Sequence, residues 1–171
     1  MRWIKALVVA ATLAGIAAPA AAQTVVLVRH AEKADDSADP VLSDAGQARA
    51  EALAAALAAA RPTHVFTSPL QRTRLTAAPT AAAHGVTIQP VGLEGGGAGH
   101  IAAVAGHVRA APEDAVVLVV GHSNTVPLIA RALGYEAADM PECEYDRLIV
   151  LELDDDGAAA IVGRYGAPTG C

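Results

Sequence analysis

Short apolar runs alternate with alanine-rich stretches along most of the chain, and this alternation constrains the fold more than any other feature. The runs are continuous rather than interrupted by polar residues, which is typical of strands buried on both faces. Four runs are predicted as strands: Thr24–Val28, His64–Thr67, Val86–Gln89 and Ala115–Val120. Strands that alternate with helices predict an α/β fold of three layers, in which a mainly parallel sheet has helices on both faces.

The stretches between the runs carry helix boundary signals. Ser43 has the position of an N-cap before a predicted helix over residues 44–60. Ser68 has the same position before a predicted helix over residues 69–83, which begins with proline. Pro79 is expected to kink this second helix or to end it early.

The second half of the chain continues the pattern and then changes it. The glycine-rich segment 95–99 is predicted as a flexible loop before a third helix, and a fourth helix is predicted to end near Leu133. Residues 148–153 and 158–165 flank an Asp-Asp-Asp-Gly turn, which predicts a C-terminal antiparallel hairpin.

Length and composition limit the class of protein. The 171 residues suffice for one domain with its own core, and no linker divides them. The chain is 53% hydrophobic with a net charge of −6. These values exclude a disordered chain and argue against nucleic-acid binding, which requires clustered cations. Two cysteines are too few for a zinc ribbon or a scaffold of several disulfides.

The N-terminus has the three parts of a secretory leader. Arg2 and Lys5 precede an apolar run, and Ala20–Ala22 supplies the small residues of a cleavage site. We therefore expect a signal peptide over residues 1–22 and a single domain over residues 23–171. The mature chain is expected to be periplasmic or secreted, without a membrane span. The alternative is a buried or anchoring N-terminal helix.

Polar residues follow three of the four predicted strands at the point where each strand ends. They are Arg29 and His30, Ser68 with Arg72 one turn later, and His122 with Ser123. Because ligands bind beyond the carboxyl ends of parallel strands, these residues are expected to converge on one site. Two guanidinium groups near helix N-termini suit a phosphate dianion, and a neutral imidazole can attack phosphorus. No metal or other cofactor is expected, because the arginines supply the positive charge.

Each of these residues alone has a plainer interpretation. Arg29 could form a surface ion pair with Glu32, and Arg72 and Arg74 could lie on a solvated helix face. The two histidines could cap a strand or bond to backbone inside the core. Their joint placement at strand ends favours a single site.

Three sequence blocks in this order resemble the histidine phosphatase superfamily, which has the phosphoglycerate-mutase-like fold. The blocks are Arg29-His30-Ala31-Glu32, Ser68-Pro69-Leu70-Gln71-Arg72-Thr73 with Thr76-Ala77, and Gly121-His122-Ser123-Asn124. The stretch Leu42-Ser43-x-x-Gly46 is similar to the family's segment after the first block. The resemblance covers about Val25–Tyr165. Ala31, where family members commonly have glycine, and the lack of a large insertion are more similar to the minimal SixA-type branch.

The resemblance implies a phosphatase that hydrolyses phosphomonoesters, or phosphohistidine, through a phosphohistidine intermediate. It implies that His30 is the nucleophile and that Arg29, Arg72 and His122 complete a catalytic phosphate pocket. Ser123 is a further candidate for substrate binding. The expected partner is a phosphorylated small molecule or a phosphorylated component of the cell envelope.

A leaving alkoxide needs a proton, and the sequence leaves its source open. Many family members carry an acid after the third strand, where this chain has Glu94. Glu94 could equally be a solvated loop residue. Asp35, Asp36 and Asp39, in the loop after the first block, are the other candidates.

Three rival functions each have a motif or residue set in the sequence. Gly121-His122-Ser123-Asn124-Thr125 is one residue away from the G-x-S-x-G elbow of serine esterases, but no histidine follows Ser123 to complete a triad. A non-catalytic protein that binds anions is the second rival. The third is a metal site at His100 and His107, seven residues apart on one helix, although two neutral ligands alone bind metal poorly.

Cys143 and Cys171 are predicted to form a disulfide, since export leads to an oxidising compartment and the cysteine count is even. A tight hairpin centred between Asp155 and Asp156 places Cys143 opposite Pro168, three residues before Cys171. A bridge that closes a loop of about 29 residues would stabilise the fold by roughly 3–4 kcal/mol. The alternatives are two free thiols or a bond between chains.

Overall fold

The computed structural model describes residues 22–154 and 157–170. The predicted leader, apart from Ala22, and Cys171 lie outside the described residues, so export and the disulfide stay predictions. The elements in chain order are β1 (Gln23–Arg29), α1 (Asp44–Ala56), β2 (His64–Thr67), α2 (Gln71–His84), β3 (Ile88–Pro90), α3 (Gly96–Ala110), β4 (Val116–Gly121), α4 (Val126–Ala132), β5 (Arg147–Asp154) and β6 (Gly157–Arg164). No helix in this part of the chain is long and apolar enough to cross a membrane.

The strands form one mixed sheet in the order β3-β2-β4-β1-β5-β6. The first four of these strands are parallel, and β5 and β6 are antiparallel additions at one edge. Arg147 lies opposite Arg164 and Asp154 opposite Gly157, which is the hairpin register that the turn sequence predicted.

The central strands bury both of their faces, as their unbroken apolar sequences predicted. Val25 and Leu27 of β1 belong to the core between the sheet and helices α3 and α4. Val26 and Val28 belong to a second core under α1 and α2. Each of these four side chains is at most 2% exposed, so the sheet is the middle of three layers. The predicted α/β architecture is confirmed.

The start of α2 differs from the prediction. The helix begins at Gln71, and Leu70 occupies the N-cap without a side-chain hydrogen bond. The backbone N–H of Gln71 donates instead to Asp39 Oδ1 at 2.8 Å, so a carboxylate from a distant loop caps the helix. The Ser68 hydroxyl is therefore available for the site described below.

Two other local predictions differ from the structure. Pro79 does not end α2 early, because the helix continues for another turn to His84 and ends at Gly85 in the left-handed conformation. The glycine-rich segment is not a loop over its whole length, because α3 begins at Gly96. In both places packing against the sheet overrides a local preference against helix.

Gly46 allows α1 to pass close to the loop that follows β1. Ser43 caps this helix as predicted, since its Oγ accepts the Gly46 N–H at 3.1 Å. The Ser43 N–H donates to the carbonyl oxygen of Glu32 at 3.0 Å, which fastens the loop to the helix start. A Cβ at position 46 would lie only 2.3 Å from that carbonyl oxygen.

We expect Gly46→Ala to lower the free energy of unfolding by about 1–3 kcal/mol, because the added methyl group must displace backbone. Urea unfolding measures this change. Gly106→Ala is the control: Gly106 lies in α3 with nothing within 4 Å of its added Cβ. It should raise the free energy of unfolding by up to about 1 kcal/mol. Equal stability of the two variants would contradict the steric explanation.

Candidate active site

The strand register brings the predicted site residues to one edge of the sheet. Arg29, the last residue of β1, is paired with Gly121, the last residue of β4. Thr67, the last residue of β2, is paired with Val120 on the other side of β4. His30, Ser68 and His122 each follow one of these strand ends, so they lie side by side although they are far apart in sequence.

A cavity of about 400 Å³ opens at this edge. Its lining includes the two arginines and two histidines that were predicted to converge at the strand ends: Arg29, His30, Arg72 and His122. Lys33, Asn124 and Ser123 add further polar groups, and Leu70 and Leu93 add apolar ones. The four singled-out side chains thus share one space of a size that suits a small ligand or the end of a larger one.

His30 is buried with one ring nitrogen committed to backbone. Its Nδ1 lies 2.8 Å from the carbonyl oxygen of Ala31, which can only accept, so Nδ1 carries the hydrogen. Nε2 therefore keeps a lone pair. Burial, followed by the charges of Arg29 and Arg72, lowers the pKa of His30 from 6.5 to about 4. The imidazole is neutral near pH 7 and has the form that a nucleophile requires.

His122 contacts the hydroxyl group of Ser68, which is paired with that of Thr73, and the sequence did not predict this contact. Its Nε2 lies 3.0 Å from Ser68 Oγ, which lies 2.9 Å from Thr73 Oγ1. Because the Thr73 hydroxyl donates to the Leu70 carbonyl at 2.8 Å, the Ser68 hydroxyl donates to Thr73 Oγ1. Ser68 Oγ therefore accepts the hydrogen of His122 Nε2. Burial, followed by repulsion from His30 and Arg72, lowers the pKa of His122 to about 3.

The two predicted arginines have different partners. Nη1 of Arg29 donates to carbonyl oxygens of the segment before β5, and its Nη2 donates to Glu142 Oε2 at 2.9 Å. The Tyr145 ring lies 4.0 Å from the Arg29 guanidinium carbon. Nη1 of Arg72 lies 4.0 Å from Asp39 Oδ1. Arg29 does not pair with Glu32, so that plainer interpretation is wrong.

Glu32 has a different partner, Arg49 of α1. Nε and Nη2 of Arg49 both donate to the Glu32 carboxylate, at distances of 2.7–3.0 Å. Nη1 of Arg49 donates to the carbonyl oxygen of Tyr165 at 3.1 Å. The acidic residue of the first block thus ties the loop to α1 and to the C-terminal segment, and it leaves Arg29 to the cavity.

Both cavity arginines retain unused hydrogen-bonding capacity. The Nε atoms of Arg29 and Arg72 are buried without an acceptor among the described residues. A buried donor without a partner costs about 1–3 kcal/mol, so the site is built at some expense of stability. The positive charge of the two guanidinium groups favours a phosphate-like ligand.

Glu142 and Tyr145 are residues of the site that were not singled out from the sequence. The Glu142 carboxylate accepts hydrogen bonds from Ser123 Oγ and from Arg29, and these partners hold the pKa of Glu142 below its usual range. Tyr145 lies between Arg29 and His30, with 6.1 Å between the His30 and Tyr145 ring centroids. Both come from the irregular segment before β5, which carries no motif that could have revealed them.

The candidates for the proton donor have other partners or are exposed. Glu94 is exposed and does not line it. Asp35 bonds to the Ser37 backbone, and Asp36 pairs with Lys33 at 2.9 Å. Asp39 caps α2, as described above. None of the four carboxylates belongs to the cavity lining.

The rival chemistries find little support in the geometry. The Ser123 hydroxyl donates to Glu142 rather than to an imidazole, so it lacks the base that an esterase nucleophile needs. Among residues 22–154 and 157–170, no group of three or more His, Cys, Asp or Glu side chains could hold a metal ion. His107 is exposed and stacks on Phe66, whereas His100 is buried and lines the cavity.

The lowered pKa values predict a distinctive titration. In phosphate-free solution, both His30 and His122 should stay neutral far below pH 6.5 and take up protons only near pH 4 and pH 3. Imidazole proton shifts followed by NMR measure these midpoints. Arg72→Ala should raise both midpoints, because the guanidinium charge disfavours each imidazolium. A midpoint near 6.5 for either histidine would contradict the buried, positively charged environment.

Comparison with known proteins agrees with this geometry. Residues 25–92 match the family described as the histidine phosphatase superfamily (branch 1), whereas no curated protein matches the chain. A SixA candidate phosphohistidine phosphatase from Agrobacterium tumefaciens has a sequence 26% identical to this chain. The two structures have a TM-score of 0.62 over 84% of this chain and 97% of that one.

Two other solved structures extend the comparison. A SixA candidate from Nakamurella multipartitia is 28% identical, with a TM-score of 0.58 over 88% of this chain and 99% of that one. A protein histidine phosphatase SixA solved with tungstate is 18% identical and shows a common fold, with a TM-score of 0.61 over 83% and 95% of the two chains. Residues 25–92 are thus similar to the histidine phosphatase superfamily, and the chain shares its fold with SixA-like structural neighbours.

Proposed function

We propose that this protein is a phosphatase that hydrolyses phosphomonoesters, or phosphohistidine, through a phosphohistidine intermediate on His30. The observation that carries the proposal is the state of His30: Nδ1 is fixed on the Ala31 carbonyl, and Nε2 has its lone pair in a cavity that holds two arginines. The superfamily match and the SixA-like neighbours support phosphatase chemistry.

The proposed reaction has two steps. Nε2 of His30 attacks phosphorus, a new N–P bond forms, and the P–O bond to the leaving group breaks. The Nδ1–H donated to Ala31 O stabilises the positive charge that develops on the ring. Arg29 and Arg72 bind the phosphoryl oxygens, and His122 lies in the same cavity as the remaining member of the phosphate pocket. Water then attacks phosphorus, which releases phosphate and restores His30.

The substrate class follows from the cavity and from the predicted leader. Because the phosphate end carries the strong charges and the rest of the lining is mixed, the cavity suits a phosphorylated small molecule or a phosphorylated side chain. We propose that the mature chain acts in the periplasm or outside the cell, on such a molecule or on a phosphorylated envelope component. The apolar run before Ala20–Ala22 supports this location.

A panel of phosphomonoesters, including an aryl phosphate and a phosphohistidine peptide, tests the proposal on the purified mature protein. We expect release of inorganic phosphate that EDTA does not abolish. Tungstate and vanadate, which mimic phosphate, should inhibit this release competitively. Binding of these oxyanions without any turnover would favour the rival interpretation, a protein that binds anions and does not hydrolyse them.

A further inference from the structure

His100 is a buried imidazole that the reaction described above does not use. It lies in the second turn of α3 and is 2% exposed, yet it lines the same cavity as His30 and His122. Its Nδ1 lies 2.9 Å from the carbonyl oxygen of Gly92. Because a carbonyl oxygen only accepts, Nδ1 carries a hydrogen, and this bond fixes the direction of the ring.

The other ring nitrogen of His100 is free for a ligand. Nε2 makes no hydrogen bond to the described residues, and it is not one of the polar atoms sealed from solvent without a partner. It is therefore open to the cavity. A buried ring that is fixed at one nitrogen and open at the other has the arrangement of an oriented acid or base.

The cavity otherwise lacks a suitable proton donor. Glu142 has its pKa held low by Ser123 and Arg29, so it is a carboxylate at neutral pH. His122 has a pKa of about 3 and cannot supply a proton as an acid. The Lys33 ammonium is paired with Asp36 at 2.9 Å, and Glu94 lies outside the lining. These exclusions leave His100.

We propose that His100, rather than Glu94, protonates the leaving oxygen of the substrate through Nε2. The inference rests on the phosphatase function proposed above. As His30 Nε2 bonds to phosphorus and the P–O bond breaks, the Nε2 proton of the His100 imidazolium passes to the leaving oxygen, and an alcohol departs. In the second step the neutral His100 takes a proton from the attacking water, the N–P bond breaks, and the imidazolium returns.

Leaving-group dependence tests this role. An alkoxide leaving group needs a proton, whereas the acidic nitrophenol of p-nitrophenyl phosphate departs without one. We therefore expect His100→Asn to lower kcat/KM for a simple alkyl phosphate by about 100-fold or more and to change that for p-nitrophenyl phosphate only a few-fold. Asparagine can keep the amide donor toward Gly92 O, so the substitution removes mainly Nε2.

Three further variants make the experiment decisive. His107→Asn is the matched control, the same substitution on the same helix at an exposed residue, and it should leave both rates unchanged. Glu94→Gln tests the rival acid, and a selective loss on the alkyl phosphate there would overturn the proposal. His100→Gln serves if His100→Asn does not fold, since it retains a polar group near the position of Nε2 but supplies no acid.

The wild-type protein gives an answer without any variant at position 100. Across aryl and alkyl phosphates, a working acid keeps kcat/KM nearly independent of leaving-group basicity. A steep decline in the wild type would overturn the role of His100, as would an equal loss on both substrates in His100→Asn. The phosphatase function fails on a different result: no wild-type turnover of either substrate, or turnover that survives in His30→Ala. In that case the inference about His100 fails with it.

Discussion

Replacing His30 by alanine is expected to reduce the turnover of every phosphomonoester by about 1,000-fold or more, because the variant has no atom that can form the N–P bond. The surrounding protein keeps the lone pair of Nε2 available for this bond. Nδ1 is engaged by the Ala31 carbonyl, and burial beside two arginines keeps the ring neutral. Steady-state release of phosphate measures the loss.

A trapping experiment separates the loss of the nucleophile from a loss of structure. Acid quenching of wild-type protein during turnover should reveal an acid-labile phosphoryl group that is absent from His30→Ala. His30→Asn is the second variant, since its amide can still donate to the Ala31 carbonyl. It should bind tungstate while remaining inactive. Turnover that persists in either variant would show that His30 is not the nucleophile.

Arg72→Ala is expected to lower kcat/KM by about ten- to a hundred-fold, with a folded structure retained. A charge-assisted contact with a phosphoryl oxygen is worth about 1.5–3 kcal/mol, and each 1.36 kcal/mol corresponds to a factor of ten in rate. Arg72 lies in the first turn of α2, lines the cavity and has a buried Nε without an acceptor among the described residues.

Arg74→Ala is the matched control for this change. Two residues along a helix correspond to a rotation of about 200°, so Arg74 lies on the opposite side of α2 and is exposed. Its removal should leave kcat/KM within about two-fold of the wild type. Equal losses in the two variants would contradict the assignment of Arg72. Arg29 is a poorer choice for this test, because its loss would also release Glu142 and Tyr145.

Local sequence patterns were enough to predict much of the fold. Unbroken apolar runs identified β1 and β4 as strands buried on both faces, and polar residues at strand ends pointed to the edge where the cavity lies. The Ser43 cap and the hairpin register were predicted for the same reason. Each of these features depends on residues that are neighbours in sequence, so periodicity and turn chemistry report them.

Tertiary packing decided the remaining features. Glu32 could pair with Arg29 or with Arg49, and only the position of α1 across the loop selects Arg49. Ser68 caps no helix, because Asp39 takes that role from another loop. The sequence placed His100 beside His107 on one helix, but packing of α3 against the sheet buries the first in the cavity and leaves the second exposed. The partner of a side chain depends on which helices, strands and loops pack together. Periodicity along the chain predicts each element but not the contacts between elements that are distant in sequence.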